Sequence, residues 1–252
     1  MSSDLVLRPV PGRVSVVDRA THLGTRDSNE DYALADEIDG TAIVVLADGV
    51  GGEPWGDKAS RLACVWAIAF TRRALRAAQK RGQPPETQRI VRLAFRTAGR
   101  QLRREAIRQR RVAGLKTTLI VVVTVGDELT YGYVGDGGLW LAGGDGTPLE
   151  SLLAPMRSEP GGELTAAMGP KRAALPCIGT RLLPARAVVV VATDGLADPI
   201  PTPSWQLIAQ ELMAAKQMQA VMRQLLEHCA GLRDEGKPVF TDNMTIAAIR
   251  RT

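Results

Sequence analysis

Five short blocks of this chain place acidic residues beside glycine or asparagine: Asn29-Glu30-Asp31, Ala47-Asp48-Gly49-Val50-Gly51-Gly52, Gly135-Asp136-Gly137, Thr193-Asp194-Gly195 and Thr241-Asp242-Asn243. Carboxylates that converge without partners in a low-dielectric cleft repel one another, and hard divalent cations, which take oxygen ligands, relieve that repulsion. The chemistry suggested by the pattern is therefore metal binding. The glycines of 49–52 add backbone that can come close to an ion or a substrate.

Four of the blocks adjoin a run rich in β-branched residues: 41–46 before Asp48, 131–134 before Asp136, 188–191 before Asp194 and 244–246 after Asp242. Carboxylates carried at strand ends can meet at one end of a sheet. Strands are expected at 14–18, 32–36 and 41–47, the last two joined through Asp39-Gly40. Helical spacing follows over 56–80 and 86–112, broken at Gly82-Gln83-Pro84-Pro85. A meander is expected over 117–125, 129–134 and 139–142, with glycine at its turns. The stretch 151–178, rich in Pro, Gly and Ala, reads as an irregular connection. A buried strand at 188–192, helices at 203–214 and 216–230 and a final strand at 243–250 complete the chain.

A length of 252 residues suits one large layered domain, 1–252. No apolar run approaches the roughly 20 residues that span a bilayer, and Met1-Ser2-Ser3-Asp4 lacks the character of a secretory signal, so a cytoplasmic protein without membrane association is expected. The cysteines Cys64, Cys177 and Cys229 are far apart and read as reduced structural residues. The net charge of +5 comes mainly from arginines between Arg72 and Arg111. Their segment has one aromatic, Phe95, at an apolar position, which favours a solvated helix face over a nucleic-acid surface; an acidic protein partner weighs about the same as nucleic acid. His22 and His228 lie outside the acidic blocks, although His22 is close enough in sequence to Arg26 to approach them.

Singly, each block has a plainer reading. Asp before Gly is a common turn after a strand, Asp198 before Pro199 suits a turn or helix cap, and Arg26 could pair with Asp27 on the surface. Jointly, Arg26-Asp27-Ser28-Asn29-Glu30-Asp31, Asp48-Gly49-Val50-Gly51-Gly52, Gly135-Asp136, Thr193-Asp194-Gly195-Leu196-Ala197-Asp198 and Asp242-Asn243-Met244-Thr245 resemble the metal-dependent protein phosphatases of type 2C, in their bacterial form. Order and spacing match over nearly the whole chain.

That resemblance implies an α+β fold, a four-layer α-β-β-α sandwich whose two antiparallel sheets pack face to face with helices outside. It implies two Mn2+ or Mg2+ ions bridged by Asp48. Gly49, through its carbonyl, and Glu30 would serve the second ion, and Asp194 and Asp242 the first. Asp31 would hydrogen-bond metal-bound water. Asp136, with Asp194 and Asp198, corresponds to a third, more weakly held metal position. Water activated between the two ions would attack phosphorus, and Arg26 would grip the phosphate. The implied activity is hydrolysis of phosphoserine and phosphothreonine in a phosphorylated protein substrate, opposing a cognate protein kinase in a bacterial cytoplasm, by a monomer. The alternative is a catalytically weak module of the same fold that binds a phosphorylated partner.

Three departures from the family pattern stand out. Val50 replaces the histidine of many eukaryotic members, and Gly137-Gly138 replaces Ser-Arg after Asp136. The segment 147–169 is short and lacks an Asp-His-Ser stretch, so a reduced flap is expected around 147–178.

Overall fold

In the computed structural model residues 15–50, 55–110, 114–144, 147–159, 162–170 and 174–251 are described. Strands β1 (Ser15–His22), β2 (Asp31–Ile38) and β3 (Thr41–Asp48) come first, with β2 and β3 paired in an antiparallel hairpin. Asp39 and Gly40 make its tight turn at φ 50° and 78°, the left-handed region that such hairpins require. Helices α1 (Gly56–Lys80) and α2 (Thr87–Arg108) follow, then β4 (Leu119–Val125), β5 (Glu128–Val134), β6 (Gly138–Ala142) and the short β7 (Glu150–Ser151). The remainder comprises β8 (Cys177–Leu182), β9 (Val188–Ala192), the single turn α3 (Asp194–Ala197), α4 (Thr202–Ala214), α5 (Met218–Gly231), the small hairpin β10 (Arg233–Asp234) and β11 (Lys237–Pro238), and β12 (Met244–Arg251).

The strands form two five-stranded sheets in the orders β2-β3-β4-β5-β8 and β1-β12-β9-β6-β7, with all pairings antiparallel. Alternation along β3 shows why four layers result. Ile43, Val45 and Ala47 pack with Ala63, Ala67, Val91 and Phe95 of α1 and α2, whereas Ala42, Val44 and Leu46 pack with Val189, Val191, Ala247 and Ile249 of the other sheet. Val188, Val190, Ile246 and Ala248 face outward again, onto Trp205, Leu212, Met222 and Leu226 of α4 and α5. Trp205 stacks on Trp140 with ring centroids 4.0 Å apart. Strands apolar on both faces belong in such a sandwich, where each fully buried Val, Leu or Ile contributes about 1.5–3 kcal/mol.

The four-layer sandwich expected from the resemblance is thus the fold. One connection differs: β6, expected as the third strand of a meander with β4 and β5, crosses instead to the other sheet, where it pairs with β9. The remaining differences are local. Strand β1 continues to His22, beyond the expected 14–18, because all of it pairs with β12; Val14 lies outside the described residues. The second helix covers Thr87–Arg108 of the expected 86–112, and 111–113 are outside the described residues. The stretch read as irregular up to 178 already enters a strand at Cys177, the half-exposed edge strand β8. Cys177 is exposed there, not a packed structural residue, while Cys64 and Cys229 are buried. Phe95 is core, and Arg92, Arg96, Arg100 and Arg103 lie on the exposed side of α2, a solvated face. No helix among the described residues is long and apolar enough to cross a membrane.

Candidate active site

Antiparallel order brings the acidic blocks together. β2 begins at Asp31, β3 ends at Asp48, β5 ends just before Gly135-Asp136, β9 ends just before Thr193-Asp194, and β12 begins just after Asp242. With neighbouring strands running in opposite directions, these are the same end of the sandwich. β1 also ends there, so its loop delivers Arg26 and Glu30. The result is a cleft of about 510 Å³ lined by Arg26, Glu30, Asp48, Gly49, Val50, Thr118, Asp136, Arg157, Gly162, Leu164, Asp194, Asp242 and Asn243. Asp31 and Asp198 are not in this lining: Asp31 accepts from Thr193 Oγ1, next to Asp194, and Asp198 pairs with Arg157. Residues 51–54, which include Gly51 and Gly52, lie outside the described residues.

Main-chain hydrogen bonds fix the acids. The Asp48 N–H donates to Thr118 Oγ1 at 2.9 Å, and its carbonyl accepts from Thr117 Oγ1 at 2.7 Å and the Thr118 N–H at 2.8 Å. The Gly49 N–H donates to the Glu30 carbonyl at 3.1 Å, which joins the two blocks directly. Asn243 is the knot between the outer loops. Its Oδ1 accepts from the Glu30 N–H at 2.8 Å, and its Nδ2 donates to the carbonyls of Leu23 and Ser28 at 2.8 and 3.0 Å. Gly195 permits the close approach of two loops: a Cβ there would lie 2.1 Å from the Asn243 carbonyl oxygen. His22 has a local role, its Nδ1 accepting from the Gly24 N–H at 2.9 Å, and it does not line the cleft.

Burial and mutual repulsion shape the charges. Asp31 is buried, and its carboxyl is pushed up to about 6, chiefly by desolvation, against the pull of hydrogen bonds such as that from Thr193 Oγ1 at 2.8 Å. Its Oδ1 has no hydrogen-bond partner in the protein. Burial, then the charges of Asp31 and Asp194, push Asp48 well above the carboxylate range. Asp136 rises to about 6 through burial and the Asp194 charge, with Arg157 pulling the other way. Glu30 is raised by burial and by Asp57, and Asp198 by burial.

Two arginines partly offset this excess. Arg26 Nη2 lies 2.7 Å from Asp242 Oδ2 at the exposed mouth; its partner is Asp242, not the neighbouring Asp27. Arg157, which no sequence motif singled out, reaches three acids. Its Nε donates to Asp136 at 2.5 Å, Nη2 to Asp194 at 2.7 Å, and Nη1 lies 2.9 Å from Asp198. It comes from the 147–178 segment, which is held among other contacts by bridges of Arg157 with Leu164 and of Thr117 with Met168. Gly138, where the family pattern has arginine, has no room for a side chain: its Cβ would lie 1.8 Å from the Trp140 ring. The guanidinium beside Asp136 is that of Arg157, from the 147–178 segment.

Among the described residues no three His, Cys, Asp or Glu side chains are placed to hold an ion in this arrangement. The arginines hold Asp242 on one side and Asp136, Asp194 and Asp198 on the other. The donor set nevertheless fits a hard divalent cation. It consists of oxygen alone, the acids outnumber the two guanidinium groups, Asp31 Oδ1 is buried without a partner, and Asp48 sits between acids whose charges raise its pKa.

The family model for protein phosphatase 2C matches residues 20–230. None of the curated proteins compared with the chain matches it significantly. Among solved structures, the Mycobacterium tuberculosis serine/threonine phosphatase PstP/Ppp is similar at 21% identity and TM-score 0.73, over 94% of this chain and 98% of that one. The catalytic domain of PstP in complex with two manganese ions matches at 20% identity and TM-score 0.73, over 96% and 100%. PppA, described as a key regulatory component of T6SS in Pseudomonas aeruginosa, matches at 20% identity and TM-score 0.71, over 96% and 100%. At these identities the structural matches speak for the fold, in agreement with the family match across most of the sequence. The chain belongs to the protein phosphatase 2C family.

Proposed function

We propose that the chain is a serine/threonine phosphoprotein phosphatase that uses two Mn2+ or Mg2+ ions and opposes a protein kinase in a bacterial cytoplasm. The observation that supports it most is the convergence of Glu30, Asp48, Asp194 and Asp242 on one cleft with Arg26 at its mouth. A surplus of buried carboxylates is costly to the fold and has a use where divalent cations bind. Asp48 would bridge the ions. Glu30 and the Gly49 carbonyl would hold one, and Asp194 and Asp242 the other. When bound, such ions supply an activated water and offset phosphoryl charge.

The protein's own groups do the rest. Arg26 presents a half-exposed guanidinium that a phosphate can draw from Asp242, and its planar fork can bind two phosphate oxygens. The hydrogen bonds of Thr117 and Thr118 to the Asp48 main chain keep that carboxylate facing the phosphate subsite. Asp31, whose Oδ1 has no partner in the protein, would accept a hydrogen bond from a metal-bound water and so orient it. With Val50 where a histidine could stand, solvent protonates the departing serine or threonine oxygen.

Hydrolysis of a phosphothreonine peptide with Mn2+, Mg2+ or chelator, by wild type and Asp48→Asn, tests this. Metal-dependent phosphate release that drops at least about a thousandfold in the variant is expected. A second reading, a weak module that binds a phosphorylated partner, draws on the arginines that already occupy the acids. Retained peptide binding without phosphate release, in protein that binds Mn2+, would favour it.

A further inference from the structure

Arg157 is one side chain placed against three carboxylates from two separate parts of the chain, the turn after β5 and the helical turn α3. Asp136 follows β5, Asp194 opens α3, and Asp198 caps its far end. The guanidinium meets them with Nε, Nη2 and Nη1, so its planar fork is used on every side. The side chain is 12% exposed and the Asp136 side chain 4%, so neither partner is free to wander in solvent. The backbone is equally fixed. The Met156 N–H donates to the Gly135 carbonyl at 3.0 Å, the Thr165 N–H to the Met156 carbonyl at 2.8 Å, and the Ser158 N–H to the Glu163 carbonyl at 3.1 Å. Arg157 is therefore tied to the turn that carries Asp136.

We propose that Arg157 is a resident cation: its guanidinium fills the space among Asp136, Asp194 and Asp198 that a third divalent ion would need, leaving a protein that binds two ions. The inference rests on the two-metal reading above. A guanidinium cannot be deprotonated at physiological pH and cannot ligate a metal, so a divalent ion could enter only by expelling it against like-charge repulsion. Asp194 serves both neighbours, with one oxygen on Arg157 and its carboxylate still beside Asp48. Arg157 thereby also sets the orientation of an acid assigned to the first ion. It is a positioning residue, supplying from the chain a charge that would otherwise depend on metal concentration.

The experiment counts Mn2+ bound to chelator-treated full-length protein by calorimetry and by electron spin resonance of free Mn2+. It also records Tm with chelator and with Mn2+. Wild type should bind two ions. Arg157→Ala should bind a third, at least tenfold tighter than any further binding by wild type. Its Tm in chelator should fall by roughly 5–10 °C and recover in Mn2+. Arg157→Lys, which keeps the charge without the fork, should bind two ions and melt between the others, and it carries the comparison if the alanine variant does not fold. Three ions in wild type, or two in both wild type and Arg157→Ala, would overturn the proposal alone. No Mn2+ bound by any of the proteins would overturn it together with the two-metal reading.

Discussion

Two arginines neutralise acids in the same cleft, and their surroundings differ. The Arg26 and Asp242 side chains are 50% and 40% exposed at the mouth. Arg157 is 12% exposed and meets Asp136 and Asp194, which are 4% and 25% exposed. An exposed pair is worth little to stability because water and salt screen it, so Arg26 can exchange Asp242 for a phosphate at small cost. Breaking a buried network leaves charges without partners in a poor dielectric, so Arg157 is held in place. On the proposed reading, identical chemistry would give a ligand-binding group on the exposed side and a fixed internal cation on the buried side, with depth deciding which.

The largest effect expected from this contrast is on stability. Arg157→Ala in chelator at pH 7 should lose about 3 kcal/mol in denaturant unfolding, whereas Arg26→Ala should lose less than about 1. Equal losses would erase the distinction.

The next effect is a pH dependence on the buried side. Asp31 has a folded pKa of about 6, raised from 3.8, so the folded state binds the extra proton between those values and stability falls as pH rises through that window. Compared with wild type in chelator, Asp31→Asn should gain up to about 3 kcal/mol between pH 4 and pH 6.5, with no further change above that. A difference that stays flat across the window would show that Asp31 ionises as freely folded as unfolded.

Activity should report the exposed side. Arg26→Ala should cut phosphothreonine-peptide turnover by about 10–100-fold with the fold and Mn2+ affinity retained, and Arg26→Lys should recover only part of it because one point charge replaces a two-pronged donor. The smallest change should come from Asp198→Asn. Its carboxylate is 50% exposed, and its loss should cost under about 1 kcal/mol with the Mn2+ count unchanged at two.

The two arginines also differ in how far the sequence announces them. Arg26 precedes Asn29-Glu30-Asp31 by a few residues, and the acids of the cleft sit beside strand runs whose apolar pattern is strong, so antiparallel pairing alone carries them to one end. Arg157 has no such neighbour. Its place depends on main-chain contacts, a long-range one from Met156 to Gly135 and a nearer one from Arg157 to Leu164, in a segment with no periodicity. The one hint is chemical: more acids converge than Arg26 could balance. β8 escapes notice for a related reason, because a half-exposed edge strand reading Cys177-Ile178-Gly179-Thr180-Arg181-Leu182 carries little alternating apolar signal. Asn243 lay within a recognised block, yet its work as the tie among Leu23, Ser28 and Glu30 depends on the folded loops.

The most direct test is crystallographic: an anomalous difference map of the Mn2+-soaked protein, recorded at the manganese absorption edge. Two peaks flanking the Asp48 carboxylate, with Arg157 still between Asp136 and Asp198 and no peak among those acids, are expected. A map with no peak beside Asp48 would contradict the assignment of this cleft as a two-metal phosphatase site.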